Sequence, residues 1–117
     1  MLNEKDYQEL QEVFKKEAHA NLSKLKEIIS FERWEQNLKE IFLCFHNLRG
    51  SSGLLSYNSI FIVSSFFDEE FLNKMQDKNL LREIIHQAIV LIEKFLNEDI
   101  KESKEAEDFV EKFKTLK

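Results

Sequence analysis

Proline is absent from this sequence, glycine occurs twice and cysteine once. Without the residues that punctuate turns and break regular structure, long uninterrupted helices are the favoured arrangement of the backbone. The single cysteine, Cys44, cannot form an internal disulfide, and no apolar run approaches the ~20 residues that a membrane-spanning helix needs. Positive charge is also short: 17 lysine and arginine residues stand against 22 acidic ones, a net charge of -5. A basic surface able to follow a nucleic-acid backbone is therefore not expected. The three histidines, His19, His46 and His86, are scattered, and none belongs to a Glu-x-x-His pair of the kind that builds metal sites in helical bundles. Neither a metal nor another cofactor is expected. The opening Met1-Leu2-Asn3-Glu4-Lys5-Asp6 lacks the apolar stretch of a secretion signal, so the expected location is the cytoplasm.

What the chain does have is apolar bulk and charge in helical register. Its 117 residues are 43% hydrophobic and 33% charged and include 11 phenylalanines, enough for one domain, residues 1–117, with a sizeable core. Leu10, Val13, Phe14, Ala18, Leu22, Leu25 and Ile28 recur at steps of three and four and predict a first helix from Glu4 to Ile29. A second stripe, Trp34, Leu38, Ile41, Phe45 and Leu48, predicts a helix that continues towards Ser52 and Leu55. After Ser56 and Tyr57, with Asn58 as the expected N-cap, Ile60, Val63, Phe67, Phe71 and Met75 predict one third helix. Leu81 to Phe95 and Ala106 to Leu116 supply a fourth and a fifth. The expected fold is all-α: an antiparallel four-helix bundle with a fifth, flanking helix.

The second helix carries the chemistry. Residues three, four and seven apart share a helix face, so His46 stands over Arg49, Gly50 and Gly53 and away from the Phe45 and Leu48 stripe. Glycine inside a helix costs about 0.5–1 kcal/mol relative to alanine, and both glycines of the chain sit beside this histidine. Clearance for a partner's backbone and a phosphoryl group would explain them. Arg49 offers a cation one turn along, and Ser51 and Ser52 offer hydroxyls to phosphate oxygens or to the backbone. Cys44 has no basic neighbour at helical spacing and reads as a small core residue.

The segment His46-Asn47-Leu48-Arg49-Gly50-Ser51-Ser52 resembles the hallmark of histidine-phosphotransfer (HPt) domains, His-x-(Leu/Ile)-Lys-Gly-(Ser/Gly)-(Ser/Ala). Gly53 and Tyr57 are most similar to the version at the N-terminus of chemotaxis histidine kinases. Phe14-Lys15-Lys16-Glu17-Ala18, followed by Leu22 and Leu25, resembles that family's first helix. Three positions depart from its pattern: Arg49 stands where lysine is usual, Ser56 where glycine is usual, and Asp68 where the chemotaxis form has a histidine-binding glutamate.

The resemblance implies a phosphocarrier of two-component signalling, without turnover of its own, either free-standing or part of a multidomain kinase. His46 would accept a phosphoryl group on Nε2 and pass it to an aspartate of a receiver domain. Arg49 would balance the phosphoryl charge, and Asp68, or Glu69 beside it, would accept a hydrogen bond from Nδ1–H and fix the reactive tautomer. Phe42, Leu43, Gly50, Ser51 and Gly53 would form the surface that meets a response-regulator receiver domain or a histidine-kinase catalytic domain. The alternative expectation is a helical adaptor that docks such a domain without carrying phosphate.

Overall fold

The side chain of Asn3 accepts a hydrogen bond from the Asp6 N–H at 2.8 Å, and Glu4 and Asp6 place negative charge in the first turn. Both features stabilise a helix start, and α1 runs from Glu4 to Ser30. A computed structural model describes residues 3–117, and every regular element in that range is helical. A short 3₁₀ turn, Trp34–Asn37, leads into α2 (Leu38–Leu54), which carries His46. Then follow α3 (Asn58–Ser65), α4 (Glu69–Lys74), α5 (Lys78–Asn97) and α6 (Lys104–Phe113), with a last 3₁₀ turn at Lys114–Leu116.

The first, second, fourth and fifth expected helices are present at close to their expected limits. The third is not one helix. It breaks between Ser65 and Glu69 because Asp68 starts a new one: its carboxylate accepts a hydrogen bond from the Phe71 N–H at 2.7 Å, and Glu69 and Glu70 follow in the first turn. Asn58 is not the cap expected of it. Tyr57 holds that position without a capping side-chain hydrogen bond among the described residues. The start of α3 is held instead by the chain after α5, where the Lys101 carbonyl accepts from the Ser59 N–H at 2.9 Å and the Ile100 carbonyl accepts from the Ser59 hydroxyl at 2.6 Å. The Asn58 amide turns outward and donates to Glu102 at 2.5 Å.

α1 lies against α2 and α5, and α3 against α2, α5 and α6. The core between them is aromatic on the side behind α2. The Phe45 ring stacks on Phe67 with centroids 4.0 Å apart, and Phe66 meets Phe67, Phe71 and Phe109 edge-on. Such pairs add roughly 0.5–1.5 kcal/mol each beyond the area they bury. They fix the roll of α2 about its axis: with Phe45, Leu48 and Ser52 fully inside, His46 must face out.

Two loop residues take up left-handed backbone. Ser56, between α2 and α3, has φ 62°, and Asp99, after α5, has φ 54°. The resemblance pointed to glycine at the first of these. The turn keeps the glycine-like conformation with serine in place, and the Tyr7 hydroxyl braces it by donating to the Leu55 carbonyl at 3.1 Å. No helix of the described residues is long and apolar enough to cross a membrane.

Candidate functional site

His46 is exposed on the outer face of α2, between two shallow grooves. On the α3 side His46, Arg49, Gly50, Gly53 and Leu54 line a groove with Phe61. On the α1 side His46, Asn47, Gly50, Ser51 and Leu54 line another with Glu17, Ala20, Asn21 and Lys24. The helical spacing thus brings together the residues it should. The Phe42 ring, one turn before the histidine, lies against the imidazole with centroids 5.5 Å apart and a tilt of 30°, so it restrains the ring plane.

The two glycines turn out to be unlike each other. A Cβ at Gly53 would come within 3.1 Å of Phe61 Cδ2 and 3.2 Å of Cε2, so the close approach of α3 accounts for that glycine. A Cβ at Gly50 would meet nothing within 4 Å among the described residues. Packing inside the chain therefore gives no reason for Gly50, and its cost to the helix is left uncompensated by any internal contact.

The Arg49 guanidinium lies 5.5 Å from the centre of the Phe61 ring, which positions the cation beside the groove without neutralising it. Ser51 is half-buried and faces the α1 groove. Ser52 is fully buried and its hydroxyl donates to the Arg49 carbonyl at 3.1 Å, so of the two roles open to it the structure shows the backbone one. Leu43 is 39% exposed and Phe42 half-buried. Leu54, which sequence periodicity did not single out, is 81% exposed and borders both grooves.

Asp68 is placed elsewhere. One carboxylate oxygen caps α4, and the other accepts a hydrogen bond from Lys117 Nζ at 2.9 Å. Burial by itself would push this carboxyl up; the hydrogen bonds from Lys117 and the Phe71 N–H, with the lysine's charge, outweigh it and hold the group below its ordinary value. The groove that holds Asp68 contains Glu70, Phe71, Lys74 and Lys117 and not His46. Neither Asp68 nor Glu69 lines either groove at His46, so the structure does not bring the expected orienting carboxylate to the histidine. The reason is the break after Ser65, which turns the chain into a cap where a continuous helix would have carried the side chain along α2.

No family model, curated protein or solved structure matches this chain.

Besides Leu54, the groove residues Phe61, Glu17 and Lys24 escaped the sequence reading. Phe61 is one position off the Ile60–Val63 stripe, and the signal for it was Gly53, whose missing side chain needs a partner. Glu17 and Lys24 lie on the exposed side of α1 and had no local signal beyond their spacing of seven. Lys24 is paired with Glu40 at 2.7 Å. The other histidines are exposed, His19 on α1 and His86 on α5, and neither shares a groove with His46. The Cys44 thiol is buried, and desolvation pushes its pKa up, which makes it a poor nucleophile.

Proposed function

We propose that this chain is a histidine-phosphotransfer domain: a phosphocarrier, without turnover of its own, that takes a phosphoryl group on His46 and hands it to a receiver-domain aspartate. The observation that carries the reading is Gly50. It lies one turn from an exposed histidine, on the same face, with open space where its side chain would be. A helix glycine that no internal contact requires is accounted for if another protein must come close there. The pairwise helix contacts support the same reading, since α1, α2, α3 and α5 each touch two others of the set, as in a four-helix bundle, with α6 flanking α3.

In the forward step the lone pair on His46 Nε2 attacks phosphorus and the bond from phosphorus to the donor oxygen breaks. The donor leaves as a carboxylate if it is an aspartyl phosphate, or as ADP if it is ATP held by a kinase domain. The ring keeps its Nδ1 proton and becomes cationic. Arg49 balances the phosphoryl oxygens, the main contribution available in a loose phosphoryl-transfer transition state. Phe42, Leu43 and Leu54, with the bare Gly50 and the Ser51 hydroxyl, form the docking surface for the receiver or kinase partner. Such partners place the carrier in the cytoplasm.

The loss of Asp68 from the site favours a second reading, an adaptor that docks the same partners without carrying phosphate. One experiment separates the two. The purified chain is incubated with a phosphorylated receiver domain or a cytoplasmic histidine-kinase domain and ATP, and the chain is then assayed for acid-labile, alkali-stable label. The carrier gives label that His46→Gln abolishes. Binding with no label from any donor, or equal label in His46→Gln, leaves the adaptor.

A further inference from the structure

With Asp68 committed to α4 and Lys117, the imidazole needs another hydrogen-bond acceptor if its tautomer is to be fixed. The α1 groove holds one. Lys24 meets Glu40 at 2.7 Å, and the Tyr7 hydroxyl meets the Leu55 carbonyl at 3.1 Å, so α1 and α2 run antiparallel with a defined register. Interpolation between those two contacts sets Glu17 level with His46. Both residues are exposed and both line the same groove.

The charged residues that line the two grooves are few. α1 contributes Glu17 and Lys24, α2 contributes Arg49, and α3 presents the uncharged Phe61. Lys24 is held by Glu40 and Arg49 lies over Phe61 on the other side. Glu17, by contrast, forms no ion pair among the described residues; only its backbone carbonyl is engaged, by the Asn21 amide at 3.1 Å. Among the described residues that line the α1 groove, the charge left without an ion pair is thus a carboxylate.

Resting on the phosphocarrier reading above, we propose that Glu17 is the positioning residue for His46, reaching across the groove to accept the Nδ1–H hydrogen bond. The Nε2 lone pair is then directed away from α1, towards the side that Gly50 leaves open. After transfer the same carboxylate faces the cationic phospho-imidazole ring and stabilises it. The Phe42 ring restrains the imidazole plane, so only one nitrogen needs to be chosen. The acidic partner of the histidine thus comes from the first helix, where a broken third helix cannot provide it.

The test uses the unphosphorylated full chain, labelled with ¹⁵N-histidine, at a pH of about 8.5, where an ordinary imidazole is neutral. The expected result is that wild-type His46 is mainly the Nδ1–H tautomer, that Glu17→Gln shifts the population towards Nε2–H, and that Glu17→Asp keeps part of the preference. Glu12→Gln, on the opposite side of α1, is expected to leave His46 unchanged. In the transfer assay Glu17→Gln is expected to lower the rate about tenfold at saturating receiver, with receiver affinity retained. An unchanged tautomer in Glu17→Gln overturns the assignment of Glu17, even if His46 is labelled normally. Absence of label in the wild-type chain overturns the phosphocarrier reading, whatever the tautomer shows.

Discussion

Phe61 of α3 lies over Gly53 of α2, closely enough that a Cβ at residue 53 would be 3.1 Å from the ring edge, whereas a Cβ at residue 50 would meet no other element within 4 Å among the described residues. Two glycines a single turn apart on one helix therefore answer to different constraints, one from within the chain and one from outside it. Gly50→Ala is expected to stabilise the fold by about 0.5–1 kcal/mol through helix propensity alone. Gly53→Ala is expected to gain less, because the Phe61 ring must shift by a few tenths of an ångström. Urea denaturation of the two variants measures the difference. Gly50→Ala is also expected to slow phosphoryl transfer despite its higher stability, and a variant that is both more stable and equally fast would remove the clearance role from Gly50.

Ser56 and Asp99 both have positive φ, but only one of them is there for its side chain. Asp99 accepts a hydrogen bond from the buried Tyr57 hydroxyl at 2.6 Å and pairs with Lys15 at 3.1 Å. Ser56 makes no side-chain hydrogen bond of this kind among the described residues. Ser56→Gly is expected to stabilise the chain by about 1 kcal/mol by relieving left-handed strain. Asp99→Gly relieves the same strain but leaves a buried phenol hydroxyl without its acceptor, and it is expected to destabilise. Thermal unfolding of both variants checks the opposite signs.

Asp68 gives a pH signature. Its folded carboxyl lies below the ordinary value, and so does that of Asp99, held down by the Tyr57 hydroxyl and by Lys15. A depressed carboxylate contributes stability that is present above its unfolded pKa, about 3.8, and is lost as pH falls through the folded value. Wild-type stability is therefore expected to fall below about pH 4. Asp68→Asn keeps a capping oxygen but is expected to start lower, by no more than about 1 kcal/mol at neutral pH, for the lost ion pair with Lys117 and the lost charge at the start of α4, and to fall less steeply on acidification. Denaturation midpoints between about pH 3 and 6 test this, and an identical slope in both proteins would show that Asp68 does not contribute.

Most of the fold was legible because apolar periodicity marks helices that bury one face: the stripes of α1, α2, α5 and α6 are continuous in sequence and in the structure. The third helix misled because Ile60, Val63, Phe67, Phe71 and Met75 are all buried, so their spacing looks continuous across a break. The signal for the break was polar. Asp68-Glu69-Glu70 has the residue types of a helix start, an N-cap followed by first-turn acids, within an apolar stretch. At the site, the residues on one helix were legible from spacing, whereas Glu17 and Phe61 join the grooves at His46 only through packing between helices, which local periodicity does not encode.

Arg49 touches Phe61 but has no ion pair among the described residues, so its removal is expected to cost the fold no more than about 0.5–1 kcal/mol. Its effect on transfer is expected to be larger. Loss of a charge-assisted hydrogen bond to the phosphoryl group corresponds to a slowing of roughly tenfold or more, and Arg49→Lys is expected to recover most of it. Stopped-flow or quench-flow transfer between the chain and a phosphorylated receiver domain measures both variants. Equal rates in Arg49→Ala and wild type would take Arg49 out of the mechanism.

The most direct test of the central claim is to locate the phosphate. The chain is phosphorylated by a receiver or kinase donor, digested at neutral pH and sequenced by fragmentation that preserves the nitrogen–phosphorus bond, with ³¹P and ¹⁵N NMR of the intact protein to identify the ring nitrogen. The phosphocarrier account predicts a single phosphoryl group on Nε2 of His46 and none in His46→Gln; phosphate on His19, His86 or another side chain, or an unmodified His46 under every donor, would contradict it.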